Sequence, residues 1–233
     1  MTKEINVGGV ETFSMVDYPG KMSAVVFMQG CPWRCPFCHN MELQKINKVT
    51  GFEWSKFVEF LKERQGKLDA VVFSGGEPLV QNSLPEAIEE VKKLGYKIGL
   101  HTGGFRADFF KKVLPRVDWV GFDIKTPLNE ARYNEAVGQR HFKEVIESLK
   151  LLLQSGKAYE CRTTCDPRLL SIDDIYTIGN ELKSLGVKEY YLQKYRPIES
   201  DIITQEEDCE KFFTDKKLLK YLKESFSVFD TRK

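Results

Sequence analysis

Six short apolar segments recur along the chain, and a segment with helical spacing follows most of them. The apolar segments lie at about residues 24–29, 69–73, 96–100, 119–122, 158–162 and 188–193, and each is typical of a buried strand. The intervening segments place apolar residues three and four positions apart, and glycines such as Gly95 and Gly156 mark their ends. This alternation predicts a parallel sheet covered by helices.

The number of units limits the fold class. Six βα units are too few to close an eight-stranded barrel, so we expect an α/β fold, either an open (partial) TIM-type barrel or a doubly wound sheet. We interpret the chain as one domain, with a lead-in at 1–23, a βα core at 24–200 and a C-terminal helix and tail at 201–233. In both folds, ligands bind at the carboxyl ends of the strands.

Local signals refine the boundaries of these elements. Thr50 with Glu53, and Ser171 leading to Asp174, are typical of the caps that begin helices. The lead-in is expected to contain a short strand and a turn, and the last helix is expected within about residues 210–224.

Three cysteines follow the first predicted strand, in the run Cys31-Pro-Trp-Arg-Cys35-Pro-Phe-Cys38-His-Asn40. Thiolates at this density suit an iron–sulfur cluster or zinc. Three ligands are one short of a closed site, so one metal position stays open for chemistry. Two alternatives remain: three buried cysteines with no metal, or a zinc knuckle completed by His39.

Composition excludes several classes of function. The chain has 233 residues, 42% apolar and 30% charged, with a net charge of +1, which is typical of a soluble globular protein and gives no sign of a nucleic-acid or anionic-membrane surface. The N-terminal residues do not resemble a signal peptide, and no apolar run has the length of a transmembrane helix, so we expect a cytoplasmic protein. Six cysteines in such a chain favour metal binding over disulfides.

Polar residues follow each predicted strand, and the predicted topology brings them to one mouth. After the cysteines come Gly75-Gly76-Glu77, then His101-Thr102, Asp123 with Lys125, Arg162, and finally Gln193. Glycines let a ligand approach the backbone closely, and Glu77 can accept a ligand ammonium. Lys125 and Arg162 can hold a carboxylate. An ammonium site beside a carboxylate site describes an amino-acid ligand next to the metal.

These motifs together resemble the radical S-adenosylmethionine (SAM) superfamily. The cysteine spacing with Phe37 before Cys38, followed by Ser-Gly-Gly-Glu-Pro, carries the resemblance. The lead-in Phe13-Ser14…Asp17-Tyr18-Pro19-Gly20 makes the chain similar, more narrowly, to the activating enzymes of glycyl-radical enzymes, and most of all to those of anaerobic ribonucleoside-triphosphate reductase.

The resemblance implies a [4Fe-4S] cluster on Cys31, Cys35 and Cys38, with SAM chelating the fourth iron. One-electron cleavage of SAM would give a 5′-deoxyadenosyl radical that takes a hydrogen from a glycine of the partner enzyme. An electron donor such as flavodoxin or ferredoxin would reduce the cluster. By position, the residues implied at SAM are Phe37 at the adenine, Asn40 near the nucleoside, Gly75, Gly76 and Glu77 at the ammonium, Thr102, Asp123 and Lys125 around the amino-acid end, Arg162 at the carboxylate, and Gln193 at the ribose or adenine.

Other functions stay open at this stage. The chain could act on a small molecule such as a modified-purine precursor, could activate pyruvate formate-lyase, or could be a zinc or electron-transfer module. His101 departs from the Asp-Thr pair of relatives that activate pyruvate formate-lyase, and it is either a packed strand-end histidine or a functional residue. We interpret Cys161, Cys165 and Cys209 as structural.

Overall fold

One eight-stranded sheet organises the backbone. A computed structural model describes residues 5–198 and 201–233, so the first four residues of the predicted lead-in and the predicted boundary at residue 200 lie outside the described residues. In chain order the strands are β1 (Val7–Ser14), β2 (Ser23–Met28), β3 (Ala70–Gly75), β4 (Lys97–Thr102), β5 (Trp119–Asp123), β6 (Ala158–Cys165), β7 (Glu189–Lys194) and β8 (Val228–Arg232).

Eight α-helices connect or follow these strands in the described part of the chain. They are α1 (Trp54–Glu63), α2 (Leu84–Lys93), α3 (Ala107–Val113), α4 (Glu130–Val137), α5 (Phe142–Gln154), α6 (Ile172–Ser184), α7 (Glu206–Thr214) and α8 (Lys216–Ser225). None of the described helices is long and apolar enough to cross a membrane.

The order of the strands decides between the two predicted architectures. The strands lie side by side in chain order from β1 to β8, with β1 antiparallel to β2 and every later pair parallel. A doubly wound sheet would reverse its order at a switch point, and this sheet does not. Since β1 and β8 do not pair with each other, the sheet stays open, and the predicted open TIM-type barrel is confirmed.

The two faces of the sheet have different surroundings. Crossovers that always step in one direction along a sheet put the helices on one face, and alternate strand residues such as Val26, Phe73 and Val120 pack against them in the main core. On the opposite face of the sheet, the concave face, Val72 and Trp119 belong to a smaller apolar cluster around Tyr18. The remainder of the concave face is therefore free to carry polar side chains.

Several predicted details were wrong. Thr50 does not cap α1, because its hydroxyl donates to the Val7 carbonyl at 2.6 Å, and α1 has no side-chain cap. The single helix predicted near the C-terminus is two helices, α7 and α8, because Asp215 interrupts the helix and caps α8. By contrast, the capping box of Ser171 and Asp174 is present at α6.

The sequence did not predict α4 and β8. The buried side of α4 is short, so its apolar spacing is weak. β8 mixes polar and charged residues with Val228 and Phe229, and its residues are only partly buried, so it resembles a tail more than a strand until it pairs with β7.

Candidate active site

The cysteine-bearing loop leaves β2 and is tied back to the chain that follows it. The Gly30 N–H donates to the Leu43 carbonyl at 2.7 Å, and the Cys31 N–H donates to the Gln44 carbonyl at 3.2 Å. The buried Gln29 side chain donates to two further carbonyls of the returning segment. The loop is therefore closed at its base, and the cysteines project beyond the carboxyl end of β2.

A second tie holds the far side of this loop and was not predicted. The Arg168 guanidinium donates to the Pro36 carbonyl at 3.2 Å. Asp166 and Asp201 hold that guanidinium, with N–O distances of 2.7 and 2.8 Å. The sequence signal that could have pointed to it is the position of Asp166-Pro-Arg168 directly after β6.

The three cysteines line one cleft, are partly exposed and form no disulfide. Among residues 5–198 and 201–233, no three Cys, His, Asp or Glu side chains converge on a position for a single ion. His39 instead has Nε2 2.7 Å from the Arg196 carbonyl oxygen. The His39 ring is therefore engaged with the chain near Arg196, which disfavours the zinc knuckle. In a [4Fe-4S] cluster each cysteine would bind a different iron, so the three thiols need not share one position.

Burial keeps Cys31 and Cys35 protonated in the absence of metal. It raises the pKa of Cys31 to about 12 and raises the pKa of Cys35 above its usual value, while Lys125 lowers both. Metal binding must therefore displace the protons, and Lys125 stabilises the resulting negative charge.

The cleft collects residues from the carboxyl ends of five successive strands. The cleft has a cavity volume of about 140 Å³ and opens to solvent at its mouth. The predicted residues that line it are Cys31, Cys35, Cys38, Phe37, Asn40, Gly75, Gly76, Glu77, Thr102, Asp123, Lys125 and Arg162, together with His101. The residues that sequence reasoning missed are Trp33, Gln44, Ser74 and Gly103.

Gln193 does not line this cleft. It lies on β7, in register with Thr164 of β6 and Arg232 of β8. A direct role for Gln193 would require a ligand that extends further across the concave face.

The Gly75-Gly76 turn lies against the base of the cysteine loop. The Gly76 N–H donates to the Met28 carbonyl at 2.9 Å, and the Glu77 N–H donates to the Gly30 carbonyl at 2.8 Å. A Cβ at Gly76 would lie 2.2 Å from the Gly30 oxygen, and Gly75 has a φ of +102°. Neither position accepts a side chain without a backbone shift.

The Glu77 carboxylate is buried and only 1% exposed. Its Oε1 accepts from the Thr102 hydroxyl at 2.6 Å and the Leu79 N–H at 3.1 Å, while Oε2 accepts from the Gly103 N–H at 2.9 Å. Burial raises the pKa of Glu77 to about 7, although these donors oppose the shift. Thr102 thus holds Glu77, and Oε2 keeps a lone pair for a ligand donor.

Lys125 brings a fixed positive charge to the cleft. Its Nζ lies 3.7 Å from Asp123 Oδ2 and over the rings of Trp33 and Phe37, at 5.3 and 5.5 Å from their centroids. Burial acts to lower the pKa of Lys125, but the thiolate form of Cys35 and the charge of Asp123 outweigh burial and raise it. Both rings come from the cysteine loop, so Lys125 connects that loop to β5.

Arg162 lies flat against the concave face of the sheet. Its Nε and Nη2 donate to Asp123 Oδ1 at 3.0 and 2.8 Å. A Cβ at Gly121 would lie 2.8 Å from Nη1, so the glycine makes room for the guanidinium. Burial acts to raise the pKa of Asp123, but Arg162 and Lys125 hold it below its usual value.

His101 joins the cleft to the lead-in. Its Nε2 is 2.9 Å from the Asp17 carbonyl oxygen, and its Nδ1 is 3.1 Å from the Ser74 hydroxyl. Since a carbonyl only accepts, Nε2 carries the proton, and Nδ1 accepts from Ser74. Burial and Arg162 lower the pKa of His101 to about 3, so the ring stays neutral and acts as a packed tie. Cys161, Cys165 and Cys209 are fully buried away from the cleft, as a structural role requires.

The fold and this site define a class of protein, and comparison with known sequences identifies it. Residues 25–166 match the Radical SAM superfamily, and the chain belongs to that superfamily. The superfamily implies a [4Fe-4S] cluster and SAM, and the three free cysteines that line the cleft beside the Gly-Gly-Glu turn fit them.

Individual relatives give more detail. The chain is 29% identical over 201 residues to a protein of Methanocaldococcus jannaschii that is named as a glycyl-radical enzyme activating enzyme, covering 82% of this chain and 80% of the relative. It is 29% identical over 240 residues to the pyruvate formate-lyase-activating enzyme of Clostridium pasteurianum, covering 94% of this chain and 97% of the relative.

A solved structure shares the fold. The crystal structure of Streptococcus suis SuiB bound to S-adenosylmethionine superposes with a TM-score of 0.62 at 16% identity, over 88% of this chain and 48% of that one. The chain therefore spans about half the length of SuiB.

Proposed function

We propose that this protein is an activating enzyme that uses a [4Fe-4S] cluster and SAM to generate a glycyl radical on a partner enzyme. The observation that carries the proposal is that one cleft is lined by the three cysteines, by Glu77 and by the cations Lys125 and Arg162, which come from successive strands. The two relatives described above, each matched over most of its length, are named for this activity.

The chain's own groups have distinct tasks in this proposal. Cys31, Cys35 and Cys38 bind the cluster, and the ties from Gln44 and Arg168 fix the loop that carries them. When bound, the reduced cluster and SAM supply a one-electron reductive cleavage of the sulfonium C–S bond. The protein's contribution is to orient both and to keep water from the reacting atoms.

The SAM contacts follow from the charges on the cleft wall. The Gly75-Gly76 backbone and Glu77 Oε2 receive the amino group, with Thr102 holding Glu77 in place. Arg162 and Lys125 attract the carboxylate, and Asp123 orients both cations. Phe37, Asn40 and, at greater distance, Gln193 are assigned to the adenosine end.

The proposed partner is the anaerobic ribonucleoside-triphosphate reductase. Support comes from the resemblance of the lead-in motif, in which Asp17 and Tyr18 contact the concave face. Ser14 donates to the Asp17 carboxylate at 2.5 Å, the Asp17 carbonyl accepts from His101, and the Tyr18 ring lies 5.2 Å from that of Trp119. The motif therefore packs on the concave face beside the cleft, and none of its residues lines the cleft. Flavodoxin or ferredoxin is the proposed type of electron donor.

The test is an anaerobic reconstitution with iron and sulfide, followed by reduction and addition of SAM. Release of 5′-deoxyadenosine is measured with and without the reductase, and the glycyl radical is detected by electron paramagnetic resonance. We expect a radical with the reductase and none with a reductase whose radical-bearing glycine is replaced by alanine. Pyruvate formate-lyase, tested in parallel, distinguishes the two partners.

Variants separate the parts of this proposal. Lys125→Ala should retain the cluster but bind SAM about tenfold more weakly, because it removes one buried charge that faces the carboxylate. Unchanged SAM affinity would remove Lys125 from the site. Deoxyadenosine without a radical on either partner would contradict the activating role and favour a small-molecule substrate.

A further inference from the structure

We propose that Arg232 of β8 is a positioning residue for the SAM site, acting through Glu160 to keep the Arg162 guanidinium turned toward Asp123 and the cleft. The inference rests on the proposed function, because it takes Arg162 as the group that receives the SAM carboxylate.

Glu160 lies between Arg232 and Arg162. It precedes Arg162 by two residues on β6, so the two side chains share the concave face. Its carboxylate is 1% exposed and accepts two parallel hydrogen bonds from Arg232, Nη1 to Oε1 at 2.5 Å and Nη2 to Oε2 at 2.6 Å. A bidentate pair of this kind is among the strongest side-chain contacts in proteins.

Arg162 lies between two carboxylates. It donates twice to Asp123, at 3.0 and 2.8 Å, but its Nη1 remains 3.9 Å from Glu160 Oε1. That gap exceeds a hydrogen bond and is small enough for a modest side-chain rotation to close. Arg162 therefore faces the cleft because Arg232 already occupies Glu160.

Removing Arg232 would change which carboxylate Arg162 pairs with. A buried carboxylate without a partner is costly, and the charged donor that the structure places nearest to Glu160 is then Arg162. The guanidinium would turn toward Glu160 and away from Asp123 and the cleft. The same change removes a positive charge from the concave face.

The charge pattern supports the same conclusion. From the cleft toward the edge strand β8, the ion-pair chain runs Lys125, Asp123, Arg162, Glu160, Arg232, with alternating sign and one excess positive charge. That excess suits a ligand carboxylate. Without Arg232 the chain is neutral, and the attraction for the carboxylate decreases.

Arg232 itself is held in place. Its guanidinium carbon lies 4.3 Å from the centroid of the Tyr191 ring, and its backbone is in register with Gln193 of β7. The pairing of β8 with β7 thus places the positive charge of Arg232 on the concave face, although β8 contributes no residue to the cleft lining.

The experiment compares SAM affinity among reconstituted, cluster-loaded variants by equilibrium dialysis, alongside iron content and thermal unfolding. Arg232→Gln should bind SAM about tenfold more weakly per loaded protein, since a charge-assisted hydrogen bond to the carboxylate is lost. The double variant Glu160→Gln with Arg232→Gln should recover affinity to within about threefold of wild type, because no unpaired carboxylate then competes for Arg162. Lys233→Gln, which removes an ion pair to Glu210 in a separate group of residues, is the control and should bind normally.

Two results would overturn the inference: wild-type SAM affinity in Arg232→Gln, or a double variant that binds as weakly as the single one. Lower thermal stability with normal affinity would show a purely structural pair and would also overturn it. If Arg232→Gln does not fold, Arg232→Lys, which keeps the charge but not the bidentate contact, should weaken SAM binding about threefold, and wild-type affinity there would contradict us. Arg162→Gln distinguishes a failure of the Arg232 inference from a failure of the proposed SAM site. Normal SAM binding in Arg162→Gln would refute the proposed SAM site itself. None of these measurements involves the partner enzyme.

Discussion

The buried Glu77 carboxylate should make the stability of the metal-free protein depend on pH in an unusual direction. Its folded pKa of about 7 lies above the usual 4.5, so between these values the folded state holds a proton that the unfolded chain releases. The stability that this proton contributes is complete below pH 4.5 and is lost as the pH rises through 7. Between pH 5 and pH 8 the loss is about 2.5 kcal/mol, from 1.36 kcal/mol per unit of pKa difference.

The assay compares wild type with Glu77→Gln by urea unfolding of the metal-free, reduced chain at pH 5, 6, 7 and 8. The amide oxygen can keep the bonds from Thr102 and Leu79, whereas the amide nitrogen faces the Gly103 N–H, which gives a constant offset. This offset does not depend on pH. The test is therefore whether the difference in free energy of unfolding between wild type and Glu77→Gln changes with pH. Because the folded pKa of His101, about 3, lies below its usual 6.5, His101 makes both proteins more stable as the pH rises from 5 through 6.5, and this contribution cancels in the difference between them. A difference that stays constant within about 0.5 kcal/mol from pH 5 to 8 would refute the reasoning.

Two substitutions test the loop and turn that form the site. Cys35→Ala should lose most of its iron on reconstitution, because two cysteines cannot hold the cluster, while the buried Cys165→Ala should load normally; equal iron content in the two variants would contradict the assignment. Gly76→Ala should lower the free energy of unfolding by about 1–3 kcal/mol and impair cluster loading, since its Cβ would lie 2.2 Å from the Gly30 oxygen. Gly9→Ala, whose Cβ would meet nothing within 4 Å, is the matched control, and equal urea midpoints for the two alanine variants would show that the turn adapts.

Much of the fold could be predicted because its signals are local. Each parallel strand is a short, continuously apolar run, and helical spacing separates one run from the next, so six strands were placed to within a few residues. β8 was not predicted because it is stabilised by pairing with β7 and by the contact of Arg232 with Glu160. Neither contact produces a pattern in the local sequence. The helix α4 escaped because its apolar side is short.

The site divides in the same way. Residues that directly follow a strand, such as Glu77 and Lys125, could be placed at one mouth from topology alone. Arg168 could not, because its role depends on a contact with Pro36 from the opposite end of the chain. The sequence also could not show that the Glu77 carboxylate is already held by three donors, since two of them are backbone N–H groups.

The consecutive order of the strands has a consequence for how the molecule folds. Every strand pairs with the next strand along the chain, so the sheet can grow by closing loops of modest length, one after another. The contacts that complete the cleft span far more of the chain: 84 residues for His101 with Asp17, 132 for Arg168 with Pro36 and 157 for His39 with Arg196. The sheet should therefore form early, and the cysteine loop should be the last part to become ordered. A newly made chain would then offer its thiols to incoming iron and sulfide on a scaffold that is already folded.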